Sequence, residues 1–320
     1  MSTISVIGAG AFGTALAITL AREGHTVVLW GRDAAAIEGM AEARENARYL
    51  PGAGFPDQMR PTADLPEALS AETLLIAIPA QEVRPFALAE AQSLEGKSLV
   101  SCAKGIDLES GVGPAATLSA ACRDASVAVL TGPSFAADLA RGLPTALTLA
   151  ATGPGAPALQ ARLSGATLRL YRTDDIIGAE LGGALKNVIA LAAGLTMGAG
   201  LGESARASVV TRGFAEIQRL AEALGARPET LAGLSGFGDL VLTCTSEKSR
   251  NYGAGLALGR ETARPGGTVE GVATARAVVR LAAHHGIEMP ISAMVAAVLA
   301  GRLSVAQARK ELLTRPLKEE

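Results

Sequence analysis

The sequence predicts an α/β protein with a doubly wound, mostly parallel sheet in its first half and an all-helical second half. Up to residue 174, short apolar runs of strand length alternate with segments of helical periodicity, as in sheets whose crossovers are helices. Beyond residue 174, apolar residues recur at helical spacing and strand-like runs nearly vanish. We therefore expect two domains, residues 1–174 and 175–320, which also suits a chain of 320 residues.

A glycine loop, GAGAFG at residues 8–13, follows the first apolar run and opens the first helical segment. In this context Gly8 makes a tight turn, Gly10 lets the backbone approach a pyrophosphate, and Gly13 lets helix and strand pack closely. The helix N-terminus then faces the phosphates. The pattern predicts a Rossmann-type dinucleotide-binding domain, and a merely structural turn is the alternative.

The second predicted strand, residues 26–30, is followed by Gly31, Arg32 and Asp33. In folds of this class an acid at the end of this strand takes the ribose hydroxyls, whereas an arginine accepts a 2′-phosphate. Arg32 therefore favours NADPH over NADH. The competing interpretation takes Asp33 as the ribose acid, although Asp33 precedes a helical segment and has the character of an N-cap.

Later strands in this half are predicted to end at candidate ligand contacts. They are expected at residues 73–78, 98–102, 126–130, 145–150 and 167–171. Because ligands bind at the carboxyl ends of parallel strands, Lys104 is a candidate anion contact, with a solvated loop lysine as the alternative. Gly132 and Ser134 stand at the end of the next strand. Residues 46–64, rich in Gly and Pro, are predicted to form a long connection that carries function or covers a site.

One segment of the second half, residues 178–200, places a charge in an apolar surface. Its apolar side chains recur at helical spacing from Leu185 to Ala192, and Lys186 and Asn187 lie beside that stripe. Burial of an ammonium group lowers its pKa toward the range in which it exchanges protons. Lys186 is therefore a candidate general base, and a lysine whose amine reaches water is the alternative.

Two connections in the second half are predicted to be non-helical and are rich in polar side chains. The first, SGFGDL at residues 235–240, contains Asp239, whose alternative is a turn or N-cap residue. In the second, residues 243–252, a hydroxyl, a guanidinium and an amide open a helix, which suits a phosphate. These side chains belong to Ser249, Arg250 and Asn251. Helices are predicted at residues 176–197, 205–224, 228–231, 252–258, 272–284, 292–300 and 305–313.

Composition excludes several classes of protein. The formal net charge of −2, without a Lys/Arg cluster, argues against a nucleic-acid partner. The three cysteines lack zinc-type spacing, so no metal is expected and a reducing cytoplasm is favoured. The N-terminus lacks the features of a signal peptide, and the longest apolar runs, broken by charges, are expected to fall short of a membrane span. Apolar helices in the second half permit a homodimer.

A series of motifs runs through the chain in a characteristic order. They are GAGAFGTALA (8–17), ENARYLPG (45–52), KG (104–105), GPSFA (132–136), LKNVIALAAG (185–194), GFGDL (236–240), TSEKSRNYGAG (245–255) and VEG (269–271). With these motifs the sequence resembles the bacterial type of NAD(P)-dependent glycerol-3-phosphate dehydrogenase, over nearly its whole length. The resemblance implies reversible reduction of dihydroxyacetone phosphate to sn-glycerol 3-phosphate with NADPH or NADH, for phospholipid synthesis.

The same resemblance implies roles for individual residues. Lys186 matches the catalytic lysine, and Asp239 matches an acid beside the substrate. Positions that match substrate contacts are Lys104, Gly132, Ser134, Lys186, Asp239, Ser249, Arg250 and Asn251. Besides the loop glycines Gly8, Gly10 and Gly13, positions that match cofactor contacts are Ala11, Phe12, Arg32, Lys104, Ala136, Arg250, Thr268 and Glu270.

Two positions depart from the family pattern, and other functions remain as alternatives. Ala11 stands where well-known bacterial members have serine, which removes a side-chain hydrogen bond, and Phe237 stands where leucine is common. Another two-domain dehydrogenase, of the 3-hydroxyacid or 6-phosphogluconate type, shares the architecture. A non-catalytic NADPH-binding sensor would have little use for both Lys186 and Asp239.

Overall fold

The structure, a computed structural model, describes residues 3–263 and 266–313. The strands are β1 Thr3–Ile7, β2 Thr26–Trp30, β3 Met59–Thr62, β4 Thr73–Ile76, β5 Ser98–Ser101, β6 Ser126–Thr131, β7 Thr145–Ala151 and β8 Leu168–Thr173. The helices that accompany them are α1 Ala11–Arg22, α2 Ala34–Ala43, α3 Leu65–Leu69, α4 Ala80–Ala89, α5 Ala91–Leu94, α6 Pro114–Ala121, α7 Ala136–Ala140 and α8 Ala156–Leu163. The helices that follow are α9 Ile176–Gly198, α10 Glu203–Ala223, α11 Pro228–Ala232, α12 Asp239–Cys244, α13 Arg250–Gly259, α14 Glu270–His284, α15 Pro290–Leu299 and α16 Val305–Leu313.

The first half forms one eight-stranded sheet in the order β3-β2-β1-β4-β5-β6-β7-β8. This order contains the doubly wound Rossmann arrangement, in which the chain reverses direction along the sheet between β1 and β4. Apolar clusters cover both faces of the sheet, as the near-continuous apolar runs in the strands require. The predicted fold class is confirmed, and the switch between β1 and β4 marks the crevice in which such sheets bind ligands.

Two features of the sheet differ from the sequence expectation. The connection 46–64 was expected to lack regular structure, but its end forms the edge strand β3, with Pro61 opposite Leu29. An edge strand tolerates proline because one of its sides forms no backbone hydrogen bonds with another strand. The same proline makes the strand difficult to predict from sequence patterns. In addition, β7 pairs with β6 in antiparallel fashion, because residues 132–144 return to the same edge of the sheet.

Helix α9 is the centre of the helical half. Asp175 caps its N-terminus, since its Oδ1 accepts a hydrogen bond from the Gly178 N–H at 2.8 Å. Contrary to the expectation from its charges, α9 is long and apolar enough to cross a membrane by composition. However, 89% of its most apolar window is buried inside the protein. It therefore serves as a core helix around which the other helices pack.

Residues 234–244, expected to be largely non-helical, are helical throughout. Leu234–Gly238 forms a π-helical turn that runs directly into α12. The glycines of this segment lower its helix propensity, but they allow a close approach that side chains would prevent. A Cβ on Gly236 would lie 2.0 Å from the Leu231 carbonyl oxygen, and a Cβ on Gly182 of α9 would lie 2.9 Å from the Gly236 Cα. Close packing against α9 therefore determines the helical conformation of residues 234–244.

Helices α9 and α13 pack backbone to backbone. A Cβ on Gly194 would lie 2.0 Å from the Tyr252 carbonyl oxygen, and a Cβ on Gly255 would lie 2.1 Å from the Leu191 carbonyl oxygen. No side chain fits between the two helices at these points, so the interaxial distance is set by glycine. This contact brings the N-terminus of α13 beside the middle of α9.

Candidate active site

The loop between β1 and α1 has the geometry of a phosphate cradle. Gly8 has a φ of 123°, and a Cβ on it would lie 2.6 Å from a carbonyl oxygen of the chain that follows β4. A Cβ on Gly13 would lie 2.0 Å from the Gly8 carbonyl oxygen, so side chains at both positions are excluded. By contrast, nothing lies within 4 Å of a Cβ on Gly10, which precedes Ala11 and Phe12 at the N-terminus of α1. The open space and the helix N–H groups fit a bound pyrophosphate.

A buried asparagine from the 46–64 connection supports this loop. The Nδ2 of Asn46 donates hydrogen bonds to the Ala9 carbonyl oxygen at 3.0 Å and to the Thr14 Oγ1 at 2.8 Å. Sequence reasoning expected this connection to carry function or cover a site but did not single out Asn46. The partners lie 37 and 32 residues away along the chain, and no periodic pattern marks such a side chain.

Arg32 lies at the carboxyl end of β2, where an adenosine ribose is expected. Its side chain is 85% exposed, and its Nη1 lies 3.6 Å from the Glu82 Oε2 of α4. Asp33 acts as the N-cap of α2, because its Oδ1 accepts a hydrogen bond from the Ala36 N–H at 3.2 Å. This edge of the sheet therefore offers an exposed guanidinium beside an aspartate that is already engaged.

Two lysines and one aspartate form a buried charge array between the sheet and the helices. Lys186 Nζ of α9 donates to Asp239 Oδ1 at 2.5 Å, and Lys104 Nζ donates to Asp239 Oδ2 at 2.6 Å. Lys104 Nζ also donates to the Gly132 carbonyl oxygen at 3.1 Å. Asp239 is 1% exposed and Lys186 is 7% exposed. Each oxygen of the Asp239 carboxylate therefore accepts a hydrogen bond from one ammonium group. With both lysines protonated, the array carries one net positive charge.

Burial and neighbouring charges tune this array. Burial lowers the pKa of Lys186 to about 8, with the Asp239 carboxylate opposing the shift and the Lys104 charge adding to it. Burial alone would raise the pKa of Asp239, but the Lys104 and Lys186 ammonium groups hold it below its ordinary value. Asp239 is therefore ionised at neutral pH, while Lys186 titrates close to neutral pH. This behaviour suits a group that gives and takes a proton.

Thr243 completes the surroundings of Lys186, and sequence reasoning missed it. Its Oγ1 accepts a hydrogen bond from Lys186 Nζ at 2.6 Å and lies 3.2 Å from Asp239 Oδ1. Thr243 stands four residues after Asp239 on α12, so the two side chains share one helix face. Helical periodicity predicts this pairing only where the segment is helical, and its sequence predicts a non-helical connection.

The start of α13 lies beside the same part of α9. Ser249 caps α13, with its Oγ accepting a hydrogen bond from the Tyr252 N–H at 3.2 Å. Asn251 Nδ2 donates to the Oδ1 of Asn187, the residue that follows Lys186, at 2.8 Å. The Arg250 side chain is exposed. The glycine contact between α9 and α13 thus brings a guanidinium and a helix N-terminus next to the lysine array.

Glu270, the first residue of α14, reaches back to the sheet. Its carboxylate accepts a hydrogen bond from the N–H of Ala80, the first residue of α4, and a Cβ on Gly105 would lie 3.8 Å from its Oε2. Burial raises the pKa of Glu270, while the Ala80 N–H and the charge of Arg250 oppose the shift. Glu270 therefore lies between the two halves of the chain and not on a solvated loop. Asn251 Oδ1 accepts from the neighbouring Gly271 N–H at 2.9 Å.

The remaining predicted positions lie after β6, at the start of α7 and just before α14. Gly132 has a φ of 137°, and Ser134 Oγ lies 3.4 Å from the Gly132 carbonyl oxygen. Ala136 opens α7, and Thr268 is exposed just before α14. Phe237 is 46% exposed, and its ring packs edge-to-face on Phe214 with centroids 5.3 Å apart.

Two family profiles match the chain. The profile described as NAD-dependent glycerol-3-phosphate dehydrogenase N-terminus matches residues 3–156. The profile described as NAD-dependent glycerol-3-phosphate dehydrogenase C-terminus matches residues 175–310. Together they span most of the sequence.

Individual proteins are also similar over the whole chain. A protein of Paracoccus denitrificans (strain Pd 1222) named glycerol-3-phosphate dehydrogenase (NAD(P)+) is 61% identical over 320 residues, covering 99% of this chain and 100% of that protein. A protein of Cereibacter sphaeroides with the same name is 59% identical over 319 residues, covering 99% and 100%. A crystal structure of glycerol-3-phosphate dehydrogenase from Coxiella burnetii matches with a TM-score of 0.94 and 37% identity, covering 98% of this chain and 99% of that chain.

Proposed function

The chain belongs to the NAD-dependent glycerol-3-phosphate dehydrogenase family, and we propose that it interconverts dihydroxyacetone phosphate and sn-glycerol 3-phosphate at the buried lysine array. It is an NAD(P)-dependent oxidoreductase, and its product supplies glycerophospholipid synthesis. The observation that carries the proposed site is the contact of Lys186 and Lys104 with the two oxygens of one buried carboxylate. The test is the initial rate of dihydroxyacetone phosphate reduction with NADPH and with NADH at matched concentrations. No turnover with either cofactor would contradict the proposal.

The chemistry requires a proton donor and fixed positive charge at the carbonyl oxygen. Reduction adds a hydride to the carbonyl carbon and a proton to its oxygen, and the reduced nicotinamide supplies the hydride when bound. Lys186 donates the proton in reduction and accepts it in oxidation, since its lowered pKa keeps both forms accessible near neutral pH. Lys104 keeps a positive charge beside the developing alkoxide. Asp239 orients both ammonium groups and offsets part of their repulsion.

The substrate phosphate is held at the start of α13. The N-terminus of this helix, the exposed Arg250 guanidinium and the Ser249 and Asn251 side chains supply charge and directed donors. Gly132 and Ser134, which follow β6, contribute from the nucleotide-binding half, and the space between them and the start of α13 is the proposed substrate cleft. Binding energy from the phosphate, which does not react, positions the reacting carbon.

Replacing Arg250 with alanine is expected to raise KM for dihydroxyacetone phosphate more than it lowers kcat, because the guanidinium binds a group that does not react. The measurement compares steady-state kinetics with dihydroxyacetone phosphate and with unphosphorylated dihydroxyacetone. Arg260→Ala, at the C-terminal end of the same helix, is the matched control. An equal loss of kcat/KM toward both substrates would argue against a phosphate contact.

The crevice at the carboxyl ends of β1 and β4 would hold the cofactor. The contacts that we propose are Gly8, Gly10, Ala11, Phe12, Gly13, Arg32, Lys104, Ala136, Arg250, Thr268 and Glu270. The glycine loop receives the pyrophosphate, and Arg32 receives a 2′-phosphate, which gives a preference for NADPH. Glu270 lies where the helical half meets the start of α4.

Replacing Arg32 with aspartate is expected to shift preference from NADPH toward NADH, because a carboxylate repels the 2′-phosphate and accepts from ribose hydroxyls. The measurement is the ratio of kcat/KM with the two cofactors. Arg60→Asp, another exposed arginine paired with a glutamate, controls for a general loss of positive charge. An unchanged ratio in Arg32→Asp would place 2′-phosphate recognition elsewhere.

Three properties of the whole protein complete the proposal. The boundary that we propose between the nucleotide-binding and helical domains lies between residues 174 and 175, just before α9. A cytoplasmic location is supported by Cys102, Cys122 and Cys244, which are buried and free of disulfides. A homodimer stays a prediction.

A further inference from the structure

A lysine outside the charge array bridges the two halves of the chain beside the phosphate end of the cleft. Lys248 directly precedes Ser249, the cap of α13, and belongs to the helical half. Its Nζ donates to Asp138 Oδ1 of α7 at 3.2 Å and lies 5.6 Å from the centroid of the Phe135 ring. Both partners follow β6 in the nucleotide-binding half, where α7 packs on α1. One side chain thus makes an ion pair and a cation–π contact across the cleft.

The partner of Lys248 is held in place independently. Asp138 Oδ1 also accepts a hydrogen bond from Arg141 Nη2 on the same helix at 2.6 Å. Burial opposes ionisation of Asp138, but the hydrogen bonds and charges of Arg141 and Lys248 hold its pKa below its ordinary value. The carboxylate is therefore ionised and fixed to α7 near neutral pH. Lys248 and Asp138 are 57% and 28% exposed, and pairs of that exposure add little to global stability.

Although the ion pair adds little to the stability of the whole protein, it acts on the geometry of the proposed phosphate site, because Lys248 directly precedes Ser249. Residues 245–249 connect α12, which carries Asp239 and Thr243, to α13, which begins with Arg250. Tying this connection to α7 fixes the distance between the start of α13 and the Gly132–Ser134 turn that precedes α7. That distance is the width of the cleft at its phosphate end.

We propose that Lys248 is a positioning residue that holds the phosphate-binding end of the cleft closed through Asp138 and Phe135. The inference rests on the proposed function of Ser249, Arg250 and Asn251 as phosphate contacts. Lys248 does not exchange a proton with the substrate. It acts by restricting the phosphate-binding residues to the arrangement in which they face the opposite wall.

The test separates a tie between the two halves from a direct attraction of phosphate by the lysine charge. Lys248→Met keeps the stem and removes the charge, whereas Asp138→Asn keeps Lys248 and removes its anchor. A tie predicts that each variant raises KM for dihydroxyacetone phosphate by about 3- to 10-fold and changes kcat by less than about twofold. The double variant is expected to be no worse than the single variants, because both remove one interaction. Lys248→Arg should restore KM to near the wild-type value.

Arg141→Ala is the matched control, because it removes the other partner of Asp138 without breaking the contact across the cleft. It should leave KM within about twofold of wild type. Dissociation constants for sn-glycerol 3-phosphate and for inorganic phosphate, measured by calorimetry, should rise in parallel with KM. Thermal melting of each variant is expected to match wild type.

Two outcomes would overturn the inference. A normal KM in Asp138→Asn together with a raised KM in Lys248→Met would mean that Lys248 attracts phosphate directly. A fall in kcat at unchanged KM would mean that neither residue positions the phosphate site. Neither outcome affects the proposed function, which fails only if the wild-type protein does not turn over dihydroxyacetone phosphate.

Discussion

Lys186→Ala is expected to lower kcat for dihydroxyacetone phosphate reduction by about 10²–10⁴-fold, the usual contribution of a general acid. The loss arises because the carbonyl oxygen then has no buried donor of matched pKa. Lys104 stays paired with Asp239 and the Gly132 carbonyl oxygen, so the site keeps a second ammonium group but loses the one whose pKa burial lowers to about 8. NADPH affinity is expected to remain nearly intact, because Lys186 lies on α9 and away from the glycine loop.

The measurement is steady-state kcat together with the NADPH dissociation constant from fluorescence titration. Lys186→Met preserves the volume of the stem and checks that a cavity is not the cause. Lys97→Ala is the control, since Lys97 directly precedes β5 and its Nζ donates to the Ala71 carbonyl oxygen, at the opposite end of the parallel strands from Lys104. Normal turnover in Lys186→Ala would rule out its role as the proton donor.

Asp239→Asn is expected to have the second-largest effect, on both stability and the pH dependence of the rate. Removing the carboxylate leaves two ammonium groups facing a neutral amide in a buried site. Breaking a buried pair in this way lowers the free energy of unfolding by about 3–5 kcal/mol. The measurement is urea unfolding at neutral pH, with the exposed Asp57→Asn as the matched control.

The pH dependence follows from the direction of the pKa shift. With Lys186 as the proposed proton donor, the protonated amine is the active form in reduction, so the wild-type rate is expected to fall as pH rises through about 8, the pKa of Lys186. Asp239 raises the pKa of Lys186, so its removal lowers that pKa and moves the fall in rate to lower pH. Oxidation requires the neutral amine, and its rate should rise over the same range.

Thr243→Val provides a second variant in case Asp239→Asn does not fold. It removes the hydroxyl that accepts from Lys186 and keeps the carboxylate, so the pH midpoint should move less than in Asp239→Asn. A folded Asp239→Asn protein with the wild-type pH midpoint would show that another group controls the rate.

Sequence reasoning was most successful where a property of the chain is local. The alternation of strands and helices predicted the doubly wound sheet, and the spacing of Gly8, Gly10 and Gly13 predicted the loop conformation. It failed where long-range contact overrides local preference. The β3 edge strand contains Pro61, and the π-helical turn before Asp239 contains glycines, so local patterns argued against both elements. The glycines before Asp239 also explain why the sequence did not point to Thr243, which lies on the helix that follows them.

By itself, the sequence determined that a lysine stands beside the apolar stripe of a long helix and that a glycine loop opens the first helix. Backbone sterics and periodicity act over a few residues, so a single chain segment suffices for these conclusions. Only the tertiary structure decided that Asp239 joins Lys186, 53 residues earlier in the chain, to Lys104, 135 residues earlier. That meeting depends on the close approach of Gly182 to Gly236, where backbone packs on backbone because side chains are missing. The physical reason is that such contacts arise from packing between distant segments, which local periodicity does not record.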